Sequence, residues 1–145
     1  MKCIERPVPI EIEQPWGIET LLCATEQYTL KRLFYRAGTA GGFQYHIRKT
    51  ESFYLASGSA LVRSENGGGA YGVVQMVPGQ TYHIPAGAPH QFEAITDCVV
   101  FEASTPGMND RVNVAERYGL PVEPGTLPTT YTPEEIKAFE RGLIE

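Results

Sequence analysis

The feature that most constrains this chain is a series of short β-favouring runs, each closed by turn chemistry. The runs cover residues 29–35, 42–47, 52–56, 60–63, 71–76, 81–84, 91–95 and 98–103. Between them stand Arg36-Ala37-Gly38, Ser57-Gly58, Asn66-Gly67-Gly68-Gly69, Val77-Pro78-Gly79 and Pro85-Ala86-Gly87. Regular short strands with this punctuation predict an all-β sandwich or barrel. With 145 residues, the chain suits a single domain, because two would each approach the size at which a core becomes marginal. No repeat or interdomain linker interrupts it.

The tail differs in character. Thr132, Pro133, Glu134 and Glu135 have the order of an N-cap, a first-turn proline and a capping-box glutamate, followed by Ile136, Phe139 and Leu143 at helical spacing. One short C-terminal helix is expected, packed on the outside of the domain or on a partner subunit.

Charge narrows the partners. The formal net charge is −5, and no basic run exceeds the pairs Lys31-Arg32 and Arg48-Lys49, so a phosphate backbone has no footprint here. Neither a signal-like apolar run nor a stretch of about 20 apolar residues occurs, so a cytoplasmic protein without a membrane or nucleic-acid partner is expected. Cys3, Cys23 and Cys98 are odd in number and lack metal-binding spacing, which predicts free thiols. Cys98 reads as a small buried hydrophobe, His83 as a structural histidine and Trp16 as a packing anchor.

Two blocks carry the chemistry. The first runs from Gly38 through Gln44, His46 and Glu51 to Gly58; the second runs from Gly79 through Pro85 and Gly87 to His90. Gln44 and His46 are two apart on an expected strand and share a face. A hairpin closing at residues 48–50 would bring Glu51 opposite His46, and the Pro-Ala-Gly turn would deliver His90. With both blocks facing one interior, an amide oxygen, two imidazoles and a carboxylate converge as ligands for one divalent metal ion.

These blocks resemble the paired motifs of the cupin superfamily, G-x5-H-x-H-x4-E-x6-G and G-x5-P-x-G-x2-H-x3-N, with Gln44 in place of the first His and Ala94 in place of the final Asn. The resemblance implies an RmlC-like jelly-roll β-barrel, with its core at about residues 14–119 and a tail and helix at 120–145. It extends to the cupin domain of the mannose-6-phosphate isomerase/mannose-1-phosphate guanylyltransferase group. Gln14-Pro15-Trp16-Gly17 resembles that group's opening, Val100-Phe101-Glu102 its closing strand, and Asp110-Arg111-Val112 with Arg117-Tyr118-Gly119 its ending.

What this likeness implies is a metal-dependent aldose/ketose isomerase acting on a sugar or sugar phosphate, with zinc as the expected ion and manganese, iron or nickel as alternatives. Glu102 is then the expected base and Lys31 the expected charge-stabilising residue. The likeness also implies a homodimer. Two other readings stay open: a sugar-binding cupin without turnover, and a non-haem metal-dependent dioxygenase, for which two His and one carboxylate also serve.

Overall fold

The computed structural model describes residues 1–107 and 109–144, so Met108 and the tail's last residue, Glu145, lie outside the described residues. Among the described residues eleven strands form: β1 (Ile10–Gln14), β2 (Gly17–Ala24), β3 (Thr29–Tyr35), β4 (Gln44–Tyr45), β5 (Glu51–Ser57), β6 (Ala60–Glu65), β7 (Tyr71–Met76), β8 (Thr81–Ile84), β9 (His90–Ala94), β10 (Cys98–Ser104) and β11 (Val112–Asn113). A turn of 3-10 helix (Ala115–Tyr118) and a terminal helix, α1 (Pro133–Ile144), follow. The strands make a six-stranded sheet ordered β1-β2-β3-β10-β5-β8 and a five-stranded sheet ordered β11-β4-β9-β6-β7. All the pairings are antiparallel, and the arrangement is the expected jelly roll.

Alternation along the strands decides what enters the interior. In β3, Lys31, Leu33 and Tyr35 are buried while Leu30 and Arg32 are exposed; in β5, Glu51, Phe53 and Leu55 are buried. Leu33, Tyr35, Phe53 and Leu55, together with Val62, Met76, Phe92, Ala94, Cys98 and Val100, form the apolar core between the sheets. Leu55 and Met76 are wholly buried, and each such side chain contributes about 1.5–3 kcal/mol. Polar ligand types therefore occupy one end of an otherwise apolar interior.

A second cluster sits outside. Phe43, Tyr45, Val112 and Val114 present their side chains on the other face and are covered by Tyr118, Tyr131, Ile136 and Phe139. The capping box forms as expected: Glu135 N donates to Thr132 Oγ1 at 3.2 Å, and Thr132 N donates to Glu135 Oε1 at 3.1 Å. The helix's apolar stripe thus packs on its own domain. No helix among the described residues is long and apolar enough to cross a membrane.

One expectation needs correction. Residues 48–50 do not close a hairpin that sets Glu51 opposite His46. β4 belongs to the five-stranded sheet and β5 to the six-stranded one, where Glu51 pairs with Ile84 and Ser104. The segment between them crosses from one layer to the other, as does the Pro85-Ala86-Gly87 turn between β8 and β9. Glu51 therefore meets the imidazoles across the interior instead of along a strand pair.

The motif glycines differ in what they do. Gly58 has φ +98°, and a Cβ there would lie 2.2 Å from the carbonyl oxygen of Asp97 and 2.9 Å from Cys98 Cα. Gly79 has φ +93° with open space around it. Gly58→Ala should therefore cost well over the ~1–3 kcal/mol of backbone strain alone, whereas Gly79→Ala should stay within that range, which paired thermal melts will read. Equal losses at the two positions would contradict the steric account.

Candidate metal centre

The site is built on five strands and the two crossing segments. Gln44 lies on β4 directly across from His90 at the start of β9. His46 follows β4 by one residue, Glu51 opens β5, and Glu102 lies on β10 with the inward parity of Val100. All five line one cavity of about 360 Å³, together with Lys31 and Lys49. Trp16 stacks on Tyr35 at 4.1 Å, and Tyr35 packs against Phe92 at 4.6 Å, so this cavity also has an aromatic wall.

The centre of the cluster is the Oε1 atom of Glu51. His90 Nε2 lies 2.8 Å from it and His46 Nε2 3.4 Å, and the ligand atoms of the three residues fall within 4.8 Å of one another. Both rings are fixed from behind. His46 Nδ1 donates to the carbonyl oxygen of Asp110, and His90 Nδ1 donates to that of Ala88 at 2.9 Å. Since a carbonyl can only accept, each Nδ1 carries a proton, and in the neutral ring Nε2 presents its lone pair to the cavity.

Two nitrogen lone pairs aimed at a carboxylate are relieved by a positive centre between them, a proton or a metal ion. His46 Nε2 is buried and has no hydrogen-bond partner of its own. An unsatisfied buried acceptor costs about 1–3 kcal/mol, which a divalent cation would remove. The donor set of imidazole, imidazole and carboxylate, with Gln44 beside it, therefore fits a transition-metal ion, and backbone-oriented rings are the usual support for such a ligand set.

The two carboxyl groups divide one charge. Burial works against the anion at Glu51, but the hydrogen bond from the Glu102 carboxyl, with the two imidazoles close by, outweighs it and holds that carboxyl far below the ordinary range. Burial pushes Glu102 well above that range, and the charge on Glu51 adds to the effect against Lys49 and Lys31. Glu51 thus keeps the charge and Glu102 the proton.

Lys31 sits in the same cavity, buried, with its Nζ 3.0 Å from Glu19 Oε1. Lys49 is the cation beside the cluster, 3.4 Å from Glu51 Oε2 and 4.0 Å from Glu102 Oε1. His83 lies outside the cavity against Ser52 at 3.1 Å, and Cys98 is a buried thiol whose pKa burial raises.

Asp110 is the residue that sequence reasoning missed. Its carboxylate accepts from the backbone N–H groups of Ile47 at 2.9 Å and of Arg48 and Lys49 at 2.7 Å each, and from the Tyr131 hydroxyl at 2.6 Å. Burial opposes the charge, but these donors prevail and lower the pKa. The stabilisation is therefore present at neutral pH and lost as pH falls through the lowered value. With its carbonyl on His46, Asp110 holds the whole ligand-bearing crossing. The resemblance places Asp110 in the ending Asp110-Arg111-Val112 without a role, and its backbone donors lie 61 to 63 positions away.

Comparison with known proteins agrees with this geometry. The Cupin domain family matches residues 32–104, half of the chain and every residue of the cluster. The chain is a cupin. No curated protein matches it. Among solved structures, this cupin is similar to the capsular polysaccharide assembling protein CapF from Staphylococcus aureus, at 21% identity and TM-score 0.61 over 73% of this chain and 34% of that one. It is also similar to KdgF from Halomonas sp., at 18% identity and TM-score 0.59 over 71% of this chain and 91% of that one. A third likeness is to Bacillus subtilis oxalate decarboxylase, described with Mn(II) centres, at 17% identity and TM-score 0.62 over 92% of this chain and 35% of that one. The cupin spans about a third of the length of CapF and of the decarboxylase; these likenesses establish the fold.

Proposed function

We propose that this cupin is a metal-dependent aldose/ketose isomerase acting on a sugar or sugar phosphate, with Gln44, His46, Glu51 and His90 as ligands of a zinc ion. The observation that carries the reading is the placement of Glu102, a second, half-buried carboxyl beside Glu51 in the cavity that holds the imidazoles. A divalent ion there would supply Lewis acidity, drawing electron density from the carbonyl and neighbouring hydroxyl oxygens of the substrate. Glu102 holds the proton while Glu51 carries an unshared charge. With a divalent ion offsetting that charge Glu102 ionises, and the carboxylate then takes the proton from the carbon beside the carbonyl and returns it to the adjacent carbon, while the hydroxyl proton passes between the two oxygens. Lys49, beside both carboxyl groups, steadies the negative charge that develops on oxygen. Lys31 and Glu19, ion-paired at the cavity wall, offer a donor and an acceptor to the remaining hydroxyls. The aromatic wall of Trp16, Tyr35 and Phe92 suits the apolar face of a sugar ring.

The test is solvent deuterium exchange, followed by NMR, against aldoses and their phosphates in the zinc- or manganese-loaded protein. Exchange at the carbon next to the carbonyl is expected without oxygen, and Glu102→Gln should slow it by about 10²–10⁴-fold while the metal stays bound. Binding without exchange would replace this reading with a sugar-binding cupin. Oxygen consumption coupled to substrate loss would replace it with a dioxygenase.

A further inference from the structure

Residues 131–143 touch the metal-bearing frame through Tyr131, Glu140 and the pair Phe139 and Leu143. Tyr131 donates its hydroxyl to Asp110 Oδ1, the oxygen that also receives Ile47 N. Glu140 on α1 receives the hydroxyl of Tyr45, the residue next to His46, at 2.7 Å, and is anchored by Arg117 at 2.6 Å. Leu143 and Phe139 close over Gly87, where an added methyl group would meet them at 3.1 and 3.3 Å. Gly87 N in turn donates to the carbonyl oxygen of His46 at 2.7 Å, three residues before His90. The contacts at Tyr45 and Gly87 end one and three residues from a ligand, the contact at Asp110 ends on the carboxylate that holds residues 47–49, and none of the three reaches the cavity itself.

Such a layout does more than cover an apolar patch. Packing alone would need Ile136 and Phe139 over the outer cluster, which they supply. The polar contacts are directed instead at the group that fixes the 46–49 backbone. Asp110 is buried, and without the Tyr131 hydroxyl its carboxylate would hold three backbone donors with one partner fewer to define its rotamer.

We propose that Tyr131, acting through Asp110, is a positioning residue for the metal centre, and that docking of the C-terminal segment is energetically coupled to metal binding. This rests on the metal-binding reading above. Coupling of this kind is reciprocal, so the ion should also stabilise the docked tail.

The experiment is zinc titration of the full chain by competition with a chromophoric chelator, well below the melting temperature, for wild type, Tyr131→Phe, Asp110→Asn and Tyr118→Phe. Tyr118 is the control: it lies in the same outer cluster, and its hydroxyl donates to Glu65 at 3.1 Å, away from the 46–49 crossing. Loss of the Tyr131 hydroxyl should weaken zinc by about tenfold and Asp110→Asn by about 10–100-fold, with Tyr118→Phe unchanged. The cobalt-substituted protein should show a shifted visible spectrum in Tyr131→Phe, which a uniform loss of stability would not produce. Hydrogen exchange across residues 131–143 should slow when zinc is added to wild type, and slow less in Tyr131→Phe. Equal affinity and an unchanged cobalt spectrum in Tyr131→Phe would overturn the coupling, as would an equal loss in Tyr118→Phe. A wild type that binds no zinc would instead overturn the metal reading, and this inference with it.

Discussion

Replacing Glu51 with glutamine is expected to weaken divalent metal binding by more than about 100-fold, beyond the range seen when only an outer support is removed. Glu51 is the only ionised ligand in the cluster, and its Oε1 atom is the point on which both imidazole Nε2 atoms converge. An amide of the same shape keeps the packing and removes the charge that offsets the ion's own. Stability should move far less than affinity. Lys49 loses its partner at 3.4 Å but retains Glu102 at 4.0 Å, and Glu102, relieved of the neighbouring anion, can take up the charge. The metal-free variant should therefore lose roughly 1–3 kcal/mol, the cost of one weakened buried pair. Chemical denaturation beside a zinc titration separates the two quantities. A glutamine variant that binds zinc like wild type would remove Glu51 from the ligand set.

That prediction depends on a residue whose place beside the two imidazoles was legible in the sequence while the path that brings it there was not. Glycine and proline spacing around Gln44, His46, Glu51 and His90 sufficed to gather the four residues, because the glycines mark positions that backbone conformation or close approach reserves, as at Gly58. The path of the chain between them was less readable. A short polar segment such as 47–50 looks the same whether it folds back in one sheet or crosses to the other, and only the pairing of Glu51 with β8 and β10 distinguishes the two.

The first two strands also escaped the sequence reading. β1 lies at a sheet edge, bounded by Pro9 and Pro15, with Ile10 and Ile12 exposed, so its alternation carries little contrast. Because β2 was not foreseen, neither was the pairing of Lys31 with Glu19, which lies on it. The inward orientation of Lys31 and Glu102, by contrast, follows from strand parity once β3 and β10 have their ends fixed. Long-range polar anchors were beyond reach: Asp110 serves donors 61 to 63 residues away, and no local pattern encodes that distance.

The central claim is that His46, Glu51 and His90, with Gln44, hold a divalent ion, and elemental analysis of protein purified without chelators tests it most directly. Each imidazole is locked by a backbone carbonyl with its Nε2 facing inward, so a truncation removes a ligand that neighbours cannot replace; among the described residues no other set of three His, Cys, Asp or Glu side chains gathers in this way. The account predicts one transition-metal ion per chain in the wild type, either as purified or after reconstitution with zinc, manganese, iron or nickel, and none retained through desalting in His46→Ala or His90→Ala. Failure of the wild type to bind any of these ions stoichiometrically, or full retention in both alanine variants, would contradict it.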